Sequence, residues 1–244
     1  MRAATDMSAH AAAVDFARHV AGLWDRHLGQ RLVGVYMLGS LAHGGYAARY
    51  SDIDVGLITE QSLASGELDL VHGKAAAYSA TLAPRLSLFW TDQTFASGRF
   101  PPLDRIDYLD HAVTLIERRR VSPSRPTLSE VRAYLGAEPF RRWSQEVVRL
   151  SALDELTAAD HKRYLRALLY PARFLYSWET GNVASNDAAV AFVQDRALAR
   201  SEVDIIVQAL RCRNEGRDPL PLFPERSRLP RLLDICKGRI AGGR

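Results

Sequence analysis

The 244-residue chain has little cysteine: two residues, Cys212 and Cys236. They make no CxxC pair and have no histidine at metal-ligand spacing, which argues against a cysteine-built metal site. Two lone thiols fit unpaired packing residues in a reducing cytosol, so a cytoplasmic protein is expected. Long apolar runs are also missing. None approaches the ~20 residues that span a bilayer, and no membrane association is expected. The N-terminal stretch MRAATDMSAHAAAVDFARHV is interrupted by Asp6, His10, Asp15 and Arg18, which leaves no continuous core for a secretory signal. No charge sign dominates: 32 Lys and Arg face 28 Asp and Glu, for a net charge of +4 and a pI near 9.2. A mild basic excess suits a phosphate-bearing ligand or a nucleic acid, but arginine-rich composition alone produces the same number. No internal repeat or low-complexity tract is present. What remains is ordinary globular composition, 47% hydrophobic and 25% charged, at a length for one large or two modest domains.

Residues 8–29 place Ala12, Val14, Phe16, Ala17, Val20, Leu23, Trp24 and Leu28 at helical spacing. LVGVYML (32–38) is β-branched and aromatic, reads as a buried strand, and ends at Gly39-Ser40. After a small-residue stretch with Gly44 and Gly45, residues 51–58 alternate as a second strand with two carboxylates on one face. Residues 63–83 read as helix stopped by Pro84, and RLSLFW (85–90) is a third strand. A loop with Gly98, Pro101 and Pro102 leads to a helical start at 103 and a short strand around 113–116. RRRVSPSRPT (118–127) marks a composition shift, and it predicts domains at 1–122 and 123–244. Beyond it, segments 129–136, 139–156, 159–179, 187–198, 201–215 and 227–239 are helical in pattern. Gly181-Asn182 and DPLPLFPE interrupt them, and Ser185 or Asp187 caps the helix that follows.

The chemistry concentrates in Gly39-Ser40-Leu41-Ala42-His43-Gly44-Gly45 and, five residues on, Ser51-Asp52-Ile53-Asp54. A Gly-Ser turn leaving a strand offers backbone N–H groups and a hydroxyl to a phosphate, and glycine lets the backbone approach closely. Carboxylates at i and i+2 of a strand lie on one side with Cβ atoms ~7 Å apart. Such a pair is tolerated when it shares divalent cations, and all-oxygen ligands favour Mg²⁺ or Mn²⁺. A metal-bridged triphosphate beside a Ser-Gly loop is what in-line phosphoryl or nucleotidyl transfer requires.

The run GSLAHGGYAARYSDIDVGLI resembles the Gly-Ser…Asp-x-Asp signature of the polymerase-β nucleotidyltransferase superfamily. Within it the chain is similar to the streptomycin/spectinomycin-type aminoglycoside adenylyltransferases. LRALLYPARFLYSWETGNVASNDAAVAFV (165–193) is similar to their helical-domain stretch. The resemblance implies an α/β nucleotidyltransferase domain, a mixed sheet flanked by helices, followed by an all-α helical bundle. It implies Gly39 and Ser40 on the triphosphate, Asp52 and Asp54 as catalytic ligands of Mg²⁺ (or Mn²⁺), and Arg173 at the position of a helical-domain arginine. ATP or another NTP would be the co-substrate. A hydroxyl of a small-molecule acceptor, an aminoglycoside by default, would attack the α-phosphate in a cleft between the halves. A polycationic acceptor calls for acids there, and Glu138, Glu146, Asp154, Glu155 and Glu179 are available.

Two positions depart from the pattern. Ser87 stands where a third carboxylate is expected, and a missing base is worth ~10²–10⁴-fold in rate. Asp92 is the first choice to replace it, with Asp104, Asp107, Glu138 and Glu146 as alternatives. Asn186 stands where relatives commonly carry a lysine, which Arg141, Arg142 or Lys162 can stand in for. His43 reads as a loop residue, and Arg118-Arg119-Arg120 as a solvated linker. Trp143 and Trp178 read as packing residues, and the Asp104, Arg105, Asp107, Asp110 group as an exposed helix start. Two other functions fit the same residues: a toxin-type nucleotidyltransferase acting on tRNA or protein, and a catalytically impaired nucleotide-binding module.

Overall fold

A computed structural model describes residues 2–196 and 198–242. The chain divides into two compact units, Met1–Arg125 and Pro126–Arg244.

The first unit runs α1 (Arg2–Leu28), β1 (Leu32–Leu38), α2 (Gly39–His43), β2 (Ile53–Thr59), α3 (Glu67–Tyr78), β3 (Leu86–Asp92), α4 (Pro102–His111) and β4 (Val113–Glu117). The strands form one mixed sheet in the order β3-β2-β1-β4. β1 is antiparallel to both β2 and β4, whereas β2 and β3 are parallel. Alternation along β2 assigns its two faces. Ile53, Val55 and Leu57 join Phe16, Val20, Trp24, Val71 and Ala75 in the core beneath α1 and α3. Ile58 lies on the other face, with Tyr36, Leu38, Phe100 and the α4 residue Tyr108. Asp54, between Ile53 and Val55, therefore points toward the α4 face. The strand expected from residue 51 begins at Ile53, and the helix expected over 63–83 is the shorter α3. The bend expected after β1 is itself a short helix, α2.

The second unit is helical: α5 (Leu128–Leu135), α6 (Glu138–Ser151), α7 (His161–Thr180), α8 (Asn186–Gln194), α9 (Arg200–Asn214), a 3₁₀ segment Leu220–Arg228 and α10 (Leu229–Gly242). Thr127 and Glu130 form a capping box at α5. Ser185, rather than Asp187, caps α8 by accepting the Ala188 N–H at 3.2 Å. α7 carries most of the apolar packing, with Leu165, Leu168, Phe174 and Leu175 buried. Cys212 and Cys236 form no disulfide and both are buried, as expected of packing residues. No helix among the described residues is long and apolar enough to cross a membrane.

One polar knot ties α3 to the start of β1. Glu67 is 9% exposed. It accepts from Arg31 Nη2 at 2.5 Å, the Ala64 N–H at 2.6 Å and, across 3.0 Å, meets His27 Nε2. The Arg31 guanidinium, aided by the Ala64 N–H and His27, outweighs burial and lowers the Glu67 carboxyl from 4.5 to about 2. A carboxyl lowered on folding stabilises the native state fully above its unfolded value, and that stabilisation drains away as pH falls toward 2. Glu67→Gln should therefore lower the denaturant midpoint at about pH 7, with the gap to wild type narrowing below about pH 4.5 and closing only as pH falls through about 2. A gap that acid leaves unchanged would show that the Glu67 charge is not its source.

Candidate functional site

The site is built where the C-terminal end of β1 meets the N-terminal ends of β2 and β3. Leu38 pairs with Asp54, so the chain leaves β1 directly beside that carboxylate. Gly39 then turns with φ +62°, in the left-handed region. A Cβ at residue 39 would overlap Asp54 Oδ2. Glycine is thus required twice, for its backbone conformation and for the room it leaves. Asp52 sits two residues upstream, just before β2, and both aspartates are partly exposed. Strand periodicity puts the pair on one side. Ser40 follows Gly39 in α2 and is also partly exposed.

The loop that presents Asp52 is anchored behind it. Ser51 is buried, and its Oγ accepts the Ala47 N–H at 3.0 Å. Its carbonyl accepts from Arg85 Nε at 3.1 Å and Nη2 at 2.7 Å, and Arg85 also reaches the Tyr46 hydroxyl at 2.8 Å. Arg85, at the foot of β3, thereby fixes the approach to β2. Nothing local in the sequence marks this role.

Asp107 corrects one expectation and modifies another. The 104–110 acid group was expected to be exposed, but Asp107 is buried at 8% exposure. Its Oδ2 accepts the Gly39 N–H at 2.7 Å. That donor, expected to face a phosphate, is therefore taken by α4. Sequence reasoning missed this contact, although one signal existed: Asp107 falls on the same helical stripe as Leu103 and Ile106. His43 belongs to α2 rather than to a loop. Its Nε2 lies 3.9 Å from Asp107 Oδ1, its Nδ1 is buried, and its ring stands edge-on to His111 at 5.5 Å.

Asp92 is not beside the Asp52–Asp54 pair, and the expectation that it replaces the base is corrected. In the parallel β2–β3 register Asp54 lies opposite Ser87, while Asp92 lies opposite Thr59 at the other end of the strands. Five residues of strand separate Asp92 from Ser87, about 16 Å. The Asp92 carboxylate instead closes the turn after β3, accepting from Thr94 N at 2.8 Å, Thr94 Oγ1 at 2.5 Å and Ala96 N at 3.3 Å. Those donors, the Thr94 hydroxyl foremost, lower its carboxyl to about 2. Glu138 and Glu146 are held in ion pairs with Arg141 and Arg149.

Arg173 lies in the second unit, on α7. The apolar surroundings of its helix raised the question of burial, but the side chain is exposed. Seven residues upstream, on the same face of α7, stands Arg166, also exposed. Arg213 on α9 is buried, and its pKa is lowered to about 10, first by burial and then by the neighbouring charges of Arg173 and Arg166 against Asp187. Asn214 Nδ2 donates to Asp187 Oδ1 at 2.8 Å, tying the end of α9 to the start of α8 beside Asn186. Trp143 stacks on Tyr170 and Trp178 on Phe174, both as packing residues. Arg118 and Arg119 are not simply solvated, since they pair with Asp25 and Glu60.

Among the described residues, no group of three or more His, Cys, Asp or Glu side chains is arranged to hold a metal ion. A cavity of about 230 Å³ lies between α4 and β4, lined by Tyr36, Tyr108, Glu117 and Arg120, and includes none of the expected site residues.

No family model matches the sequence, and no curated protein matches it. Among solved structures, the fold is similar to that of spectinomycin adenyltransferase AAD(9) from Enterococcus faecialis, in a crystal structure with ATP and spectinomycin. The TM-score is 0.71 at 12% sequence identity, over 92% of this chain and 98% of that one. At that identity the likeness is one of fold.

The Gly39–Asp54 contact has a direct consequence for stability. Gly39→Ala should destabilise the protein by more than the ~1–2 kcal/mol that a left-handed alanine costs, because the Asp54 carboxylate must also move. Gly66→Ala, at φ +84° in the left-handed region and with open space around its Cα, serves as the control that carries backbone strain alone. Equal thermal unfolding midpoints for the two variants would contradict the close packing of Asp54 on Gly39.

Proposed function

We propose that this chain is a nucleotidyltransferase that moves a nucleoside monophosphate, AMP from ATP, to a hydroxyl of a small-molecule acceptor of the aminoglycoside class. One observation carries the reading: the Asp54 carboxylate is packed against Gly39, so the Asp-x-Asp pair and the Gly-Ser bend occupy one corner of the sheet. The fold likeness to an adenyltransferase crystallised with ATP and spectinomycin supports both the nucleotide and the acceptor class.

The donor set suits Mg²⁺, or Mn²⁺. Asp52 and Asp54 offer hard oxygen ligands of the kind such an ion takes, and would hold it together with oxygens of the triphosphate. The ion, when bound, neutralises phosphate charge and so favours attack at phosphorus. Within the chain, Ser40 orients a phosphate through its hydroxyl and N–H. Arg173 is proposed as a further phosphate contact, since a guanidinium donates in pairs to phosphate oxygens. The acceptor oxygen bonds to the α-phosphorus, pyrophosphate leaves, and the hydroxyl proton must go to a base. Ser87 is a poor one. Its position opposite Asp54 favours a second reading, a nucleotide-binding module with slow turnover.

Titration calorimetry with ATP, with and without Mg²⁺, tests the binding claim. Asp52→Asn and Asp54→Asn should each lose the Mg²⁺-dependent part of ATP affinity, at least about tenfold, while keeping the wild-type unfolding midpoint. Affinity unchanged in both variants would make the carboxylates structural. The Ser87 question has its own measurement, pyrophosphate release with an acceptor panel. Ser87→Glu should raise turnover toward the ~10²–10⁴-fold contributed by a general base, with ATP affinity little changed. No gain would remove Ser87 as the reason for slow turnover.

A further inference from the structure

Asp107 is one of few charged side chains in the interior, and its two oxygens have unequal surroundings. Oδ2 accepts the Gly39 N–H at 2.7 Å. Oδ1 is buried without a hydrogen-bond partner and faces His43 Nε2 at 3.9 Å, too far for a hydrogen bond but within ion-pair reach. Its neighbours in sequence, Ile106 and Tyr108, are core residues. An apolar side chain would fill the same place without the desolvation that a carboxylate suffers there. The acid is explained by what it touches, since it reaches both the first residue of α2 and the last.

Gly39 is consequently held on two sides. Asp54 occupies the space where a Cβ would be, and Asp107 takes the N–H. Without the second hold, the peptide between Leu38 and Gly39 loses the acceptor that orients its N–H, and glycine tolerates either sign of φ. Rotation there would carry Ser40 out of alignment with Asp54.

We propose that Asp107 is a positioning residue of the nucleotide site: by accepting the Gly39 N–H it sets Ser40 against Asp54, and His43 steadies the free oxygen. The inference rests on the nucleotidyltransferase reading for the identity of the ligand. Geometry of acceptance, not charge, is the operative property, and this separates it from a general role in folding.

The test uses the full chain and two variants. Asp107→Asn keeps an oxygen to accept from Gly39, and Asp107→Leu removes it. Amide hydrogen exchange of Gly39 and Ser40 is measured by NMR without ligand, and Mg²⁺–ATP affinity by calorimetry. In the wild type the Gly39 amide is expected to be protected. In the leucine variant its exchange should quicken, and ATP affinity fall, by about tenfold or more, as for one buried donor left without its acceptor. The asparagine variant should stay within about threefold of wild type in both. A fast-exchanging Gly39 amide in the wild type overturns the proposal, and that result needs no variant to fold. An asparagine variant as impaired as leucine overturns it too, by making charge the operative property. Wild-type protein that protects Gly39 yet binds no Mg²⁺–ATP would instead sink the nucleotide reading and leave the Asp107 hold standing.

Discussion

Asp54 presses its carboxylate into space that any side chain at residue 39 would fill, and the rest of the candidate site is arranged around that contact. The contact exists because β1 and β2 are antiparallel with Leu38 opposite Asp54, so the exit of one strand adjoins the entry of the other. Period-2 alternation then decides the face. Ile53 and Val55 are drawn into the core under α1 and α3, and the carboxylate between them is left on the opposite side. Burial of apolar neighbours thus aims an acid, with no need for the acid itself to be stabilised there.

Around this contact the anchoring hydrogen bonds fall to residues other than the two aspartates. Ser51 and Arg85 hold the loop before Asp52, and Asp107 takes the Gly39 donor. Asp52, Asp54 and Ser40 are left partly exposed. The parallel pairing of β2 and β3 has the opposite effect on Asp92. Side-by-side parallel strands keep residue offsets, so an acid five positions past Ser87 must lie at the far end of the sheet, where it closes a turn.

In the helical unit, most acids that would suit a cationic acceptor are already engaged with arginine: Glu138 with Arg141, Glu146 with Arg149, Glu179 with Arg196 and Arg239. Arg173 and Arg166 bear as like charges on the buried Arg213 guanidinium, with Asp187 opposing them.

Local pattern made much of this legible. The strand Leu32–Leu38, the helix through Trp24, the succession of helices α5 to α10 and the Gly-Ser…Asp-x-Asp spacing can all be read from neighbours a few positions apart, because hydrophobic period and turn chemistry are properties of short segments. Other features required the folded chain. Asp107 meets Gly39 across 68 residues, and Arg85 meets Ser51 across 34. Asp92 lies far from Ser87 because β3 runs parallel to β2, and Ser185 caps α8 where Asp187 was an equal choice. Contacts between distant segments depend on strand order, register and helix packing, and these leave no period in the residues that make them. The chemical types needed at the corner were therefore written along the chain, while which of those groups share the corner was decided only when sheet and helix came together.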